Sequence, residues 1–120
     1  MEKRTLTITL DSDWGRQIRA AASKGEKDQY QGETLNFQRA DEFFSMLTGN
    51  RWRLLHEVMR CGEIGIRELA RHIGRDVRRV HDDIVVLQDL GLVDRTDGGG
   101  VVCPFEDIHV DIHVEKKLAA

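Results

Sequence analysis

Residues 66 to 87 read I-R-E-L-A-R-H-I-G-R-D-V-R-R-V-H-D-D-I-V-V-L. Ile66, Leu69, Ala70 and Ile73 fall at i, i+3, i+4 and i+7, the single apolar stripe of a two-turn helix. Gly65 is a tolerable cap for its start. Gly74-Arg75-Asp76 follows as a tight turn, and Asp76 is a good N-cap for another helix, in which Val77, Val80, Ile84 and Leu87 share a face. Gly91 should stop that helix. At about 100° per residue its outward face carries Arg78, Arg79 and Asp82, with Arg75 just before the cap and His81 at the edge of the core.

Upstream, Trp52, Leu55, Val58 and Met59 fall at helical spacing, which predicts a helix from Asn50 to about Cys61, ended by Gly62. Before it, Phe43, Phe44 and Leu47 form a short helical face that ends at Gly49, and Leu35-Asn36-Phe37 is briefly extended. Thr5 to Leu10 alternates with period two, so it is a strand with Leu6, Ile8 and Leu10 inward. Ser12 or Asp13 can cap a helix through Trp14, Ile18, Ala21 and Ala22, and polar Lys24 to Gln29 is a loop.

Downstream, Leu92 to Arg95 is a short strand, Thr96-Asp97-Gly98-Gly99-Gly100 a turn rich in residues that accept positive φ, and Val101 to Cys103 a returning strand. Pro104 interrupts pairing. Asp107 to Val114 alternates strictly, with Ile108, Val110, Ile112 and Val114 on one side, and a frayed tail follows.

The chain has 120 residues, 40% of them apolar, enough for one compact domain with a hydrophobic core. No apolar run reaches the roughly 20 residues of a membrane span, and the start Met1-Glu2-Lys3-Arg4 lacks a signal-peptide core, so a cytoplasmic protein is expected. Cys61 and Cys103 have no CxxC spacing and are expected as reduced, partly buried thiols. The net charge of −3 speaks against indiscriminate coating of nucleic acid, but it hides a local field. Residues 51–81 carry eight arginines against four acids, a balance of +4, whereas residues 82–120 carry three bases against nine acids, a balance of −6.

Helix, short helix, glycine turn, longer helix and glycine-tipped hairpin, in that order, are the elements of a winged helix-turn-helix. In such a fold the helix beginning near Asp76 can enter a major groove roughly 12 Å wide. Arg75, Arg78 and Arg79 can read guanine or merely hold phosphates. As a solvated face, Arg75 and Arg79 would instead pair with Asp76, Asp82 or Asp83 at helical spacing. Asp82 and Asp83 oppose phosphate contact unless one of them accepts a hydrogen bond from cytosine N4. Arg67 and Arg71 are candidates for phosphate contact from the exposed side of the shorter helix, and Arg95 from the wing. The wing tip itself offers backbone N–H groups and no cation.

The alternation Asp107-His109-Asp111-His113 puts two acids and two histidines on one strand face. Its outer histidines lie about 13 Å apart and cannot share a metal, so a solvated or dimer-facing edge is the expectation. His56 and His72 have no partner motif nearby in sequence. The chain contains no nucleophile elbow, phosphate loop or HExxH arrangement, so no catalytic site, metal or cofactor is expected.

Five pieces carry a resemblance to a known group: L-x-F at Leu35 to Phe37, I-R-E-L-A-R-H-I-G-R-D from Ile66 to Asp76, Val80-His81, L-Q-D-L-G-L-V from Leu87 to Val93, and the closing I-H-V. From Leu35 to Val114, about two-thirds of the chain, the sequence resembles a family of small prokaryotic winged-helix proteins described as DNA-binding regulators. Some members are encoded beside a toxin and regarded as its antitoxin. Members often carry a base after the V-H histidine, where this chain has Asp82. The resemblance implies a transcriptional repressor that is the antitoxin of a toxin–antitoxin pair, with double-stranded DNA and a cognate toxin as partners. The expected architecture is α+β: a strand-helix extension and loop over residues 1–34, then a winged helix-turn-helix over 35–120 with a C-terminal strand, in a homodimer. The rival reading is a protein-interaction module that neutralises a toxin and uses the winged fold only as scaffold. A third reading is a metal-dependent enzyme using the Asp and His strand.

Overall fold

The computed structural model describes residues 3–10 and 32–114. The helix expected over Trp14 to Ala22, the loop at Lys24 to Gln29 and the tail lie outside the described residues. Those that are described form an α+β protein with four helices and two small sheets, divided into two compact units. No helix among them is long and apolar enough to cross a membrane.

One unit holds the described residues up to Phe43 together with those from Asp107 onward. Its sheet has the order β2-β1-β6, from β1 (Thr5–Leu10), β2 (Glu33–Phe37) and β6 (Asp107–Asp111). Both pairings are parallel, with Ile8 opposite Leu35 on one side and Val110 on the other. The alternation in β1 does what period two demands: Leu6 and Ile8 are buried, while Thr5, Thr7 and Thr9 share the other face. Leu10, expected inward, is half-buried. The Thr9 hydroxyl donates to Asn36 Oδ1 at 2.7 Å, tying β1 to β2 at paired positions. Phe37 and Phe43 meet edge to face, with centroids 5.4 Å apart.

The unit takes in β6 because that strand pairs with β1. The strand ends at Asp111, where its partner β1 runs out one residue beyond Thr9, and Val110 and Val114 are 42% and 86% exposed.

The other unit, Phe44–Glu106, contains α2 (Gly49–Cys61), α3 (Ile66–Ile73) and α4 (Val77–Asp89); α1 (Ala40–Met46) runs into it from the first unit. Its sheet has the order β3-β5-β4, from β3 (Ile64–Gly65), β4 (Asp94–Arg95) and β5 (Gly100–Val102), all antiparallel. Leu54, Leu55 and Val58 of α2, Leu69 and Ala70 of α3, and Val80, Ile84 and Leu87 of α4 are buried with Ile64, Leu92, Val93 and Val101. Among the described residues no polar or charged side chain is buried.

Local chemistry sets the limits of these elements. Thr48 caps α2, its hydroxyl accepting from the Arg51 N–H. Gly49, expected to end the preceding helix, instead opens α2. At Gly74 the chain turns left-handed, φ 74° and ψ 37°, and the Gly74 and Arg75 N–H groups both donate to the Ala70 carbonyl. Only glycine adopts that conformation freely, so α3 ends there and α4 can leave in a new direction. At Gly100 the reason is space: a Cβ would lie 3.0 Å from the Ile64 carbonyl oxygen across the β3–β5 pair.

Three expectations about side chains change. Phe44 is 63% exposed, because Phe43, about 100° away on α1, takes the inward direction. Leu54 is fully buried, whereas Trp52 and Met59 are only half-buried, so the inward face of α2 is turned toward Leu54 and Leu55. Val77, at the start of α4, is 41% exposed.

Candidate functional site

Helix α3, the N-terminal half of α4 and the β4–β5 hairpin border an open groove of about 1060 Å3. Each border follows from a local rule. Gly74 lets α4 depart from α3, and the buried stripe of α4 leaves the opposite side, with Arg78 and Asp82, to solvent. The hairpin is closed by Thr96: its N–H donates to the Gly100 carbonyl, its carbonyl accepts from Gly99, and its hydroxyl accepts from the Gly100 N–H.

Six of the eight residues singled out from the sequence line this groove: Arg67 and Arg71 from α3, Asp76, Arg78 and Asp82 from the start of α4, and Arg95 from β4. Glu68 and His81 line it as well. Four arginines thus face three acids, an excess of one positive charge on a chain whose net charge is −3. Asp76 occupies the N-cap position of α4, yet its side chain makes no capping hydrogen bond, contrary to the expectation from its position. Asp76 lines the groove instead. Asp82 is 75% exposed, with His81 Nδ1 3.8 Å away.

The other two arginines are placed differently. Arg79 is exposed outside the groove lining. Arg75 is only 19% exposed and binds Asp83 Oδ2 at 2.8 Å. The other Asp83 oxygen accepts from Arg51 Nε at 3.0 Å, and Arg51 Nη1 donates to the Met46 carbonyl at 2.8 Å. Asp83 therefore serves two arginines inside the unit, which leaves Asp82 as the acid that α4 turns outward beside Arg78.

Residues 46–110 match the model of the HVO_A0114 family. The chain belongs to the HVO_A0114 family. No curated protein matches it significantly. The HVO_A0114 match begins at the end of α1 and runs through α2, α3, α4, the hairpin and most of β6, so every groove residue lies within it.

A second grouping escaped the sequence reading, which found no partner for His72. Glu57 and Cys61 stand one turn apart on α2, and His72 of α3 reaches both: Nδ1 is 2.8 Å from Glu57 Oε2 and 3.8 Å from Cys61 Sγ. Hydrogen bonds from Arg60 and then His72 hold the Glu57 carboxyl down at about 2, while burial and the neighbouring carboxylate push the Cys61 thiol up. The i, i+4 spacing of Glu57 and Cys61 is visible in the sequence; their meeting with His72 depends on how α3 packs on α2. The strand histidine His113 lies 3.0 Å from Asp111.

Proposed function

We propose that this protein is a sequence-specific double-stranded DNA-binding regulator that uses the α3–turn–α4 segment and the β4–β5 hairpin as a winged helix-turn-helix. The observation that carries the reading is the convergence of Arg67, Arg71, Arg78 and Arg95 from two helices and a hairpin on one open groove. Arginine supplies a planar fork for guanine O6 and N7 and a strong phosphate contact, and solvent-facing arginines keep both options. In this reading Arg78 meets base edges from the first turn of α4. Arg67 and Arg71 meet phosphates beside α3, and Arg95 meets the backbone from the wing.

The regulator acts as a cytoplasmic repressor by occupancy, without catalysis. Two copies place their α4 helices in successive major grooves about 34 Å apart on a palindromic site. The sequence resemblance supports the further reading that it is the antitoxin of a toxin–antitoxin pair.

One observation favours a second reading. Glu68, Asp76 and Asp82 put acids in the same groove, so a basic segment of a partner protein could occupy it instead of DNA.

The deciding experiment is titration of labelled DNA from upstream of the protein's own gene, at several salt concentrations, with the natural chain and Arg78→Ala. Specific, salt-sensitive binding that Arg78→Ala weakens is the expected result. Absence of a specific complex at every salt concentration overturns the DNA reading and leaves the protein-interaction reading standing.

A further inference from the structure

Glu57, Cys61 and His72 bring a carboxylate, a thiol and an imidazole to one point on the unit Phe44–Glu106, their ligating atoms all within 4.8 Å of one another. We propose that Glu57 Oε2, Cys61 Sγ and His72 Nδ1 form a three-ligand site for a borderline-soft divalent cation of the zinc class, with water as the fourth ligand.

The geometry is close to what such an ion needs. Bonds of about 2.0–2.3 Å in a tetrahedral array set ligand atoms roughly 3.3–3.8 Å apart. Cys61 Sγ lies 3.5 Å from Glu57 Oε2 and 3.8 Å from His72 Nδ1. The third edge, Glu57 Oε2 to His72 Nδ1, is 2.8 Å, the length of the hydrogen bond that the ion replaces. Opening it by about 0.5 Å completes the triangle.

The surroundings fit as well. His72 Nε2 faces Glu68 Oε1 at 3.7 Å, so the ring nitrogen away from the ion has a carboxylate near it, the usual device for fixing a ligating histidine's tautomer and orientation. His72 is one-third exposed, which leaves room for ion entry and for water in the fourth position. Arg60, now paired with Glu57, is 61% exposed and can swing into solvent when the carboxylate turns to the ion.

Thiol and imidazole select zinc-like ions over magnesium or calcium, which demand oxygen ligands. On binding, the Cys61 S–H and His72 Nδ1–H bonds break and the sulfur and nitrogen electron pairs go to the metal; the thiol proton leaves to solvent, the neutral imidazole keeps its one proton on Nε2 beside Glu68, and no electron is transferred. The bound ion clips α2 to α3, the helix that carries Arg67 and Arg71. No part of this depends on the DNA reading.

The test uses the full chain, stripped with a chelator and kept reduced with a phosphine, and titrated with cobalt(II) and then zinc(II). The expected result is a saturable one-to-one thiolate-to-cobalt charge-transfer absorption in the near ultraviolet, bleached by one equivalent of zinc. Cys61→Ser removes the band, His72→Gln weakens cobalt affinity at least tenfold, and Glu68→Gln weakens it by about tenfold through the outer contact. Cys103→Ser leaves the band unchanged, and circular dichroism shows that each variant remains folded. No charge-transfer band in the reduced natural chain overturns the proposal. So does a band that survives Cys61→Ser, or one that His72→Gln leaves as strong as before.

Discussion

Arg75 donates to Asp83 across 2.8 Å, from the turn before α4 to the second turn of that helix, with both side chains less than one-fifth exposed. An arginine that would read as DNA-facing from its position is thus held inside the fold, and one of the two neighbouring acids, Asp83, is already neutralised, which leaves Asp82. Asp83→Ala leaves Arg75 and Arg51 without their shared carboxylate and should destabilise by about 2–3 kcal/mol. Arg75→Ala leaves Asp83 its bond to Arg51 and should cost about 1 kcal/mol. Urea unfolding of both variants checks the order; equal losses would mean that Arg51 does not share the carboxylate.

Arg78 and Arg79 are neighbours in sequence, but only Arg78 lines the groove. If the groove receives DNA, Arg78→Ala should weaken specific binding by about 1–3 kcal/mol, roughly fivefold to more than a hundredfold. Arg79→Ala should change it only a few-fold. Fluorescence anisotropy with operator and scrambled duplexes measures both, and a larger loss for Arg79 would place the DNA on another face of α4.

Asp82 projects beside Arg78 and is 75% exposed. Asp82→Asn removes one negative charge from the approach to phosphate, so binding to scrambled duplex should tighten several-fold, most clearly at low salt. If the carboxylate accepts from cytosine N4, the operator complex weakens in the same variant. An unchanged affinity for scrambled duplex would show that Asp82 stands away from the backbone.

Gly100 and Gly49 offer a contrast in stability. A Cβ at Gly100 meets the Ile64 backbone at 3.0 Å, and Gly100→Ala should destabilise by about 1–3 kcal/mol by forcing β3 and β5 apart. Gly49 opens α2 with nothing within 4 Å of its would-be Cβ. Gly49→Ala should therefore stabilise by up to about 1 kcal/mol. Thermal unfolding of the two variants should move in opposite directions.

Much of this fold was legible in the chain because its causes are local. The apolar stripe from Ile66 to Ile73 and the face through Val80, Ile84 and Leu87 mark α3 and α4 by their spacing, and Gly62, Gly74 and Gly91 stand where three helices end. Thr96 to Gly100 marks the hairpin for the same reason: the turn is built from its own residues. Six of the eight candidate residues share one groove because helical periodicity already sorts outward from inward positions.

What the sequence left open depends on distance through space between residues far apart in the chain. Alternation in β1 identifies a strand but does not choose its neighbours, and only tertiary packing placed it between β2 and β6 with both pairs parallel. Helical spacing allowed Arg75 several acids, and the fold settled on Asp83 while bringing Arg51 from α2 to the same carboxylate. His72 looked isolated because the atoms it meets, on Glu57 and Cys61, lie on another helix. Periodicity states which way a side chain points; the packing of one element on another decides what it finds there.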